Sequence, residues 1–487
     1  MRYFTFLLIS LLLLSSSCQI ESDDYGLNYA GGSVYTGGDQ YEGVAESPFI
    51  NTKDEPSSTF SIDADGASYA NIRRFLQNDQ QFPPAPAVRL EEMMNYFQLD
   101  YPFTSTDHPI DLNGEMSSCP WEPEHHLVRI GIQGKDIPAN DLPASNYVFL
   151  IDVSGSMNSM DKLELLKSGF NLFVEELRPQ DRVAIVTYAG SSRIALPSTS
   201  GSQKATIHTA INNLNAGGGT AGAAGIITAY DIAQQNFIPN GNNRVIIGSD
   251  GDFNIGVSNP DSLEALVERK REYGVFLTVL GVGRGNLNEA MMERIANNGN
   301  GTYEYIDKLS QLKKVFVHEA SKFHTVAKDV KVQVHFDPRM VRRYRLIGYE
   351  NRALNNSDFD NDSVDAGEIG ANQNITALYE VELSESSSLM TKTPSFTIDF
   401  RYKKPQSNLS KLISLEVLNS NRTFHNSSDA HQFTAAVAAF GMQLSNSIYG
   451  GNYSYADILQ VLDDLNLPDP HGYKEELRSL VNLASSM

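Results

Sequence analysis

The chain runs to 487 residues, long enough for two or three domains. A formal net charge of −21 argues against nucleic acid and anionic membrane surfaces as partners, and suits capture of divalent cations. Only Cys18 and Cys119 are present, so Cys119 has no disulfide partner if Cys18 is modified, and no Cys-His cluster has zinc spacing.

Met1-Arg2 gives a positive start, and residues 4–14 form an apolar stretch too short to span a bilayer as a mature helix. Residues 1–18 therefore read as a targeting segment. Ser15-Ser16-Ser17-Cys18 resembles a bacterial lipoprotein cleavage box, with Ser15 standing where leucine is usual. The resemblance implies that Cys18 is acylated and that the membrane is reached through a lipid anchor only. It also implies a bacterial cell-envelope location, as an outer-membrane lipoprotein facing the periplasm or the exterior. An ordinary secreted protein cut nearby is the alternative. Residues 19–58, rich in Gly, Ser, Tyr, Asp and Glu, predict a disordered tether.

Structure is expected from Phe60 onward. Residues 67–76 carry helical periodicity through Tyr69, Ile72, Phe75 and Leu76, and Pro83-Pro84-Ala85-Pro86 breaks it. A second helix over 88–97 has Leu90, Met93, Met94 and Phe97 as its stripe, and strands follow within 110–133. This N-terminal region is delimited at 59–140.

From 145 to 320, apolar runs alternate with amphipathic helices. Strands are expected at 147–151, 182–188, 193–196, 245–248, 275–281 and 301–306, with helices at 162–177, 203–214, 221–235, 261–273 and 288–297. That alternation predicts an α/β fold with a doubly wound, mostly parallel sheet. Asp152-Val153-Ser154-Gly155-Ser156 follows the first strand, so one carboxylate and two hydroxyls emerge at its carboxyl end. Such edges bind ligands, and hard divalent cations want oxygen donors. Gly217-Gly218-Gly219-Thr220 offers close backbone approach and a further hydroxyl, and a second strand delivers Ser249-Asp250-Gly251-Asp252. The glycine loop lacks the lysine of a P-loop, which rules out that mode of nucleotide binding.

These segments, in this order, resemble the von Willebrand factor type A (VWA) domain and its metal-ion-dependent adhesion site. The resemblance implies Asp152, Ser154, Ser156, Thr220 and Asp250 as the metal set. The hydroxyls would ligate directly or nearly so, and the aspartates would act through water or by bonding the hydroxyls. Asp252 is expected to support or cap rather than ligate.

Beyond 325, strands are expected at 330–336, 376–383, 396–402 and 412–417, followed by helices at 430–444, 455–465 and 473–484. The acidic run holding Asp358, Asp360, Asp362 and Asp365 fails EF-hand spacing and reads as a solvated loop. Strands near 110–133 and 330–417 are expected to form one β-sandwich around the inserted core. Phe60-Ser61-Ile62-Asp63, the stretch around Arg73 and Arg74, and Cys119-Pro120-Trp121 resemble the N-terminal extension of a bacterial VWA lipoprotein family. Asp365-Ala366-Gly367-Glu368-Ile369-Gly370 and the run 435–442 resemble the uncharacterised C-terminal domain of that family. The arginine pair reads as bridging between regions.

Function is therefore expected to be binding rather than catalysis. The ion would be Mg2+, with Ca2+ or Mn2+ as alternatives. An Asp or Glu of an unidentified protein ligand would complete its shell, in adhesion or complex assembly. A structural envelope scaffold is the alternative, and a metal-assisted hydrolase the weaker one. His208 is the one histidine of the core up to Ile306 and reads as a surface helix residue. His125 and His126, adjacent on a strand, would point apart.

Overall fold

Tyr147-Val148-Phe149-Leu150-Ile151 is apolar at every position because both faces of its sheet are covered, and all five side chains are buried. The computed structural model describes residues 33–36, 38–43, 45–62, 65–219, 222–251, 260–364, 366–385, 387 and 393–487. The central sheet runs in the order Tyr303–Ile306, Phe276–Val282, Asn242–Ser249, Ser145–Asp152, Arg182–Tyr188, Ser192–Ser200. Every pairing is parallel except the last, whose antiparallel strand is longer than its expected four residues.

Helices cover this sheet on both sides, as the alternation predicts. Leu163–Glu176 and Lys204–Asn212 bury Leu166, Phe170, Phe173, Ile207 and Ile211 on one face. Gly222–Gln235, Pro260–Arg271 and Glu289–Asn298 bury Ile226, Tyr230, Val267, Met292 and Ile295 on the other. Ala67 and Ala70 of helix Ala67–Arg74 join that second core, so the N-terminal region packs directly on the α/β unit.

Two antiparallel sheets form the β-rich part. The first runs Ala353–Leu354, Ser57–Ser61, Thr325–Phe336, Pro394–Lys403, Ser410–Leu418, with Gly367–Gly370 also beside Thr325–Phe336. The second runs Ile50–Asn51, Val341–Ile347, Asn374–Leu383, His126–Gly134, Ile110–Ser118. They face one another across one core, where Phe336 stacks on Tyr344 at 4.4 Å and meets Tyr379 edge-on at 5.3 Å. Both sheets mix strands from before and after the α/β core. Phe60, for example, pairs with Val332. Segments 59–140 and 325–487 thus share one sandwich, with the C-terminal helices Asp429–Ser445, Tyr455–Asp464 and Tyr473–Ser485 completing its core.

The tether expected over 19–58 needs correction from Ser33 onward. Strands Ser33–Thr36 and Asp39–Glu42 make a hairpin, and Asp39, Tyr41 and Thr52 are buried. Composition misleads here because polar contacts hold the segment. Asp39 accepts from the backbone N–H groups of Gly285 (2.7 Å) and Leu287 (3.1 Å), and Thr52 donates to Val341 O at 2.6 Å. Residues 1–32, including Cys18, lie outside the described residues. Strand Val341–Ile347 is also unanticipated. Its arginines obscure the alternation, yet Arg345 is buried against Glu380 at 2.9 Å.

Candidate metal centre

Strands Ser145–Asp152 and Asn242–Ser249 lie side by side in parallel, with Ile151 opposite Gly248, so Asp152 and Asp250 leave the sheet at the same edge. Asp152 is fully buried and committed to its surroundings. Its Oδ1 accepts from Ser154 N–H at 2.8 Å and its Oδ2 from the Ser249 hydroxyl at 3.2 Å. That anchoring turns the chain sharply, and the Ser154 and Ser156 hydroxyl oxygens come to lie 3.0 Å apart. Ser154 is buried whereas Ser156 is exposed.

The glycine loop docks on this turn by backbone alone. Gly217 N–H donates to Val153 O at 2.8 Å, and Gly155 N–H to Gly218 O at 3.1 Å. Gly218 sits at φ +94°, a conformation that favours glycine. Thr220, expected as a ligand, and Asp252 both lie outside the described residues. Asp152, Ser154, Ser156 and Asp250, four of the five residues the resemblance implies, lie together at this edge.

Lys162, Asn286 and the bond from Ser249 to Asp152 are what the sequence did not reveal. Lys162 Nζ donates to Asp250 Oδ2 at 2.9 Å and to Asn286 Oδ1 at 3.1 Å. Its side chain lies against Gly283, where a Cβ would fall 2.2 Å from Lys162 Cε. Nothing local marks Lys162 for this role. It precedes an amphipathic helix and reads there as an ordinary first-turn residue.

The two aspartates respond oppositely. Burial raises the Asp152 carboxyl above its ordinary range, aided by the nearby Asp250 charge, despite bonds from Ser154 and Ser249. Burial also opposes charge on Asp250, but hydrogen bonds from Asn286 and Lys162, the Lys162 charge and a bond with Ser156 outweigh it and lower its carboxyl.

The donor set fits a small, hard divalent ion. Every candidate ligand is oxygen, and octahedral Mg2+ with ligands at about 2.1 Å places adjacent oxygens about 3.0 Å apart. The two serine hydroxyls have that separation. They would hold the ion, which when bound supplies an electrophilic coordination position. The histidines stand elsewhere. His208 contacts Asn171 and Glu175, and His125 pairs with Glu380.

A doubly wound sheet with paired hydroxyls and carboxylates at its carboxyl edge defines the VWA class of domain, which commonly mediates metal-dependent protein interaction. The profile described as von Willebrand factor type A domain matches residues 146–318, and one described as von Willebrand factor matches 36–129. The profile "Uncharacterized protein YfbK, C-terminal" matches residues 321–487. The chain is 43% identical over 471 residues to uncharacterized protein YfbK of Escherichia coli (strain K12), covering 92% of this chain and 81% of that protein. It belongs to the YfbK family of bacterial VWA proteins. Inter-alpha-trypsin inhibitor heavy chain H2 of Sus scrofa is 27% identical over 183 residues, spanning 35% of this chain and 19% of that protein. Among solved structures, von Willebrand factor type A from Catenulispora acidiphila is 15% identical with TM-score 0.43, covering 78% of this chain and 91% of that one.

Proposed function

We propose that this chain is a cell-envelope lipoprotein that binds a protein ligand through one divalent ion, Mg2+ in the first instance. Ser154, Ser156 and Thr220 hold the ion, with Asp152 and Asp250 behind them. An Asp or Glu carboxylate of the ligand completes the shell, in adhesion or complex assembly. Cys18 is the acylation site and the sole membrane attachment; among the described residues no helix is long and apolar enough to cross a membrane.

One observation carries the reading: the hydroxyl pair at 3.0 Å is backed by carboxylates whose charge is already engaged by the chain. Asp250 shares its charge with Lys162, so little of it is left to quench the ion. An ion so held stays electrophilic and favours an anionic sixth ligand. The same lysine favours a second reading, a scaffold whose site stays empty, since it gives Asp250 a partner without any metal. Hydrolysis draws no such support, because His208 faces Asn171 and Glu175 rather than Ser154.

The test is Mg2+ calorimetry on residues 19–487, beside an Asp152→Ala/Ser154→Ala variant, followed by capture from envelope extracts with and without EDTA. Saturable binding lost in the variant and EDTA-sensitive capture support the adhesion reading. Capture indifferent to EDTA transfers the case to the scaffold. Detergent partitioning of the full chain against Cys18→Ser checks the anchor separately.

A further inference from the structure

Three further carboxylates, none of them part of the serine-lined edge, meet at the junction between the α/β core and the N-terminal region. Glu289 and Glu293 stand four apart on helix Glu289–Asn298 and share one face, an arrangement of like charges that disfavours the helix by itself. Glu92 reaches them from helix Leu90–Asn95. One carboxylate oxygen of each lies within 4.8 Å of the others. All three residues are buried, with Glu92 at 0% exposure, Glu293 at 3% and Glu289 at 6%.

A second observation points to something held there. Glu289 Oε2 is sealed from solvent without a hydrogen-bond partner, and burial of an unsatisfied carboxylate oxygen is costly. The other two are partly engaged. Glu92 Oε2 accepts from Ser68 N–H at 2.7 Å, capping helix Ala67–Arg74, and Glu293 Oε1 accepts from Asn351 at 2.7 Å. Arg89 approaches Glu293 at 3.5 Å and Arg352 at 3.9 Å, while Glu42 and Glu91 add to the negative field around Glu289.

We infer that Glu92, Glu289 and Glu293 form a structural divalent-cation site, separate from the serine-lined edge, that takes Ca2+. Oxygen-only, carboxylate-rich donors select a hard cation. Hydration decides between the candidates: Mg2+ dehydrates reluctantly and keeps several waters, which a buried pocket excludes, whereas Ca2+ accepts a flexible shell of carboxylate oxygens. The ion would fasten helix Leu90–Asn95 to the core helix Glu289–Asn298.

The test uses the chain from residue 19 to 487 carrying Asp152→Ala and Ser154→Ala, so that the edge site is silent and its failure is read independently. After equilibration with CaCl2, calcium content is measured by atomic emission and thermal unfolding is followed with CaCl2, MgCl2 or EDTA. The expected result is about one Ca2+ per chain with a Tm raised by Ca2+ more than by Mg2+. Adding Glu289→Gln should abolish both, while in EDTA this variant unfolds no earlier than its parent because the like-charge clash is relieved. Glu293→Gln repeats the test should Glu289→Gln fail to fold. A chain that takes up no calcium, or that keeps it after both substitutions, overturns the site. In the first case the carboxyls share a proton instead.

Discussion

Lys162 Nζ stands 2.9 Å from Asp250 Oδ2, so the edge where a metal is expected already contains a cation belonging to the chain. Both groups are buried or nearly so, with side-chain exposures of 10% and 0%. A charge pair of this kind is balanced, and removing one member leaves the other uncompensated.

Lys162→Met should therefore destabilise the metal-free chain by about 3 kcal/mol, within the range for breaking a buried pair. Added MgCl2 should recover most of that loss, and Mg2+ affinity should rise about tenfold as the ion inherits Asp250, equivalent to about 1.4 kcal/mol. Urea unfolding with and without Mg2+, together with calorimetry, reads both. Loss of stability with no recovery would show that Asp250 does not face the ion.

Asp39 latches the loop that carries Asn286, and through it reaches Lys162. Its Oδ1 accepts two backbone N–H bonds from residues 285 and 287, and its Oδ2 meets Arg74 at 3.0 Å. Asp39→Ala is expected to cost about 3 kcal/mol and Asp39→Asn less, since the amide oxygen still accepts. Hydrogen exchange across residues 283–288 should quicken in the alanine variant. Unchanged protection there would dismiss the latch.

Arg73 joins three parts of the chain. It donates to Asp307 at 2.5 and 2.7 Å, to Glu476 at 2.6 Å, and to Tyr96 OH at 3.0 Å, with 1% exposure. Arg73→Met should lower stability by about 3 kcal/mol, because it strands the buried Asp307 carboxylate, while Glu476 keeps Lys308. Combining it with Glu476→Gln should cost less than the sum of the two single changes. Strict additivity in equilibrium unfolding would show that the two do not interact.

Acid sensitivity should be traceable to His324. Burial, with the Arg178 and Arg244 charges, lowers its imidazole from 6.5 to about 4. The folded state thus binds this proton later than the unfolded chain. The stabilisation is complete above pH 6.5 and is lost as pH falls toward 4, about 2 kcal/mol between pH 7 and 5. His324→Gln should flatten that part of the stability profile, read by urea titrations at each pH. An unchanged slope would assign the sensitivity to other groups.

The α/β core was legible because its signals are local. Strand Arg182–Tyr188 falls where its β-branched run predicts, and helix Leu163–Glu176 within a residue of each expected end. Asp152, Ser154 and Ser156 are neighbours on a strand exit, so their convergence needs little beyond the backbone turn. Asp250 follows from the strand beside it. The hairpin at Asp39 was illegible, since its burial depends on hydrogen bonds to a loop some 250 positions away rather than on apolar content.

Hydrophobic period and turn chemistry, both written within a few residues, by themselves determined the doubly wound core, the C-terminal helices and the oxygen-rich edge. Only the tertiary structure decided that Lys162 pairs with Asp250, that Ser57–Ser61 shares a sheet with Thr325–Phe336, and that Glu92 meets Glu289 and Glu293. The physical reason is the same in each case. Paired charges and strand edges become favourable only when distant segments exclude water together, and a single stretch of sequence carries no record of its distant partner.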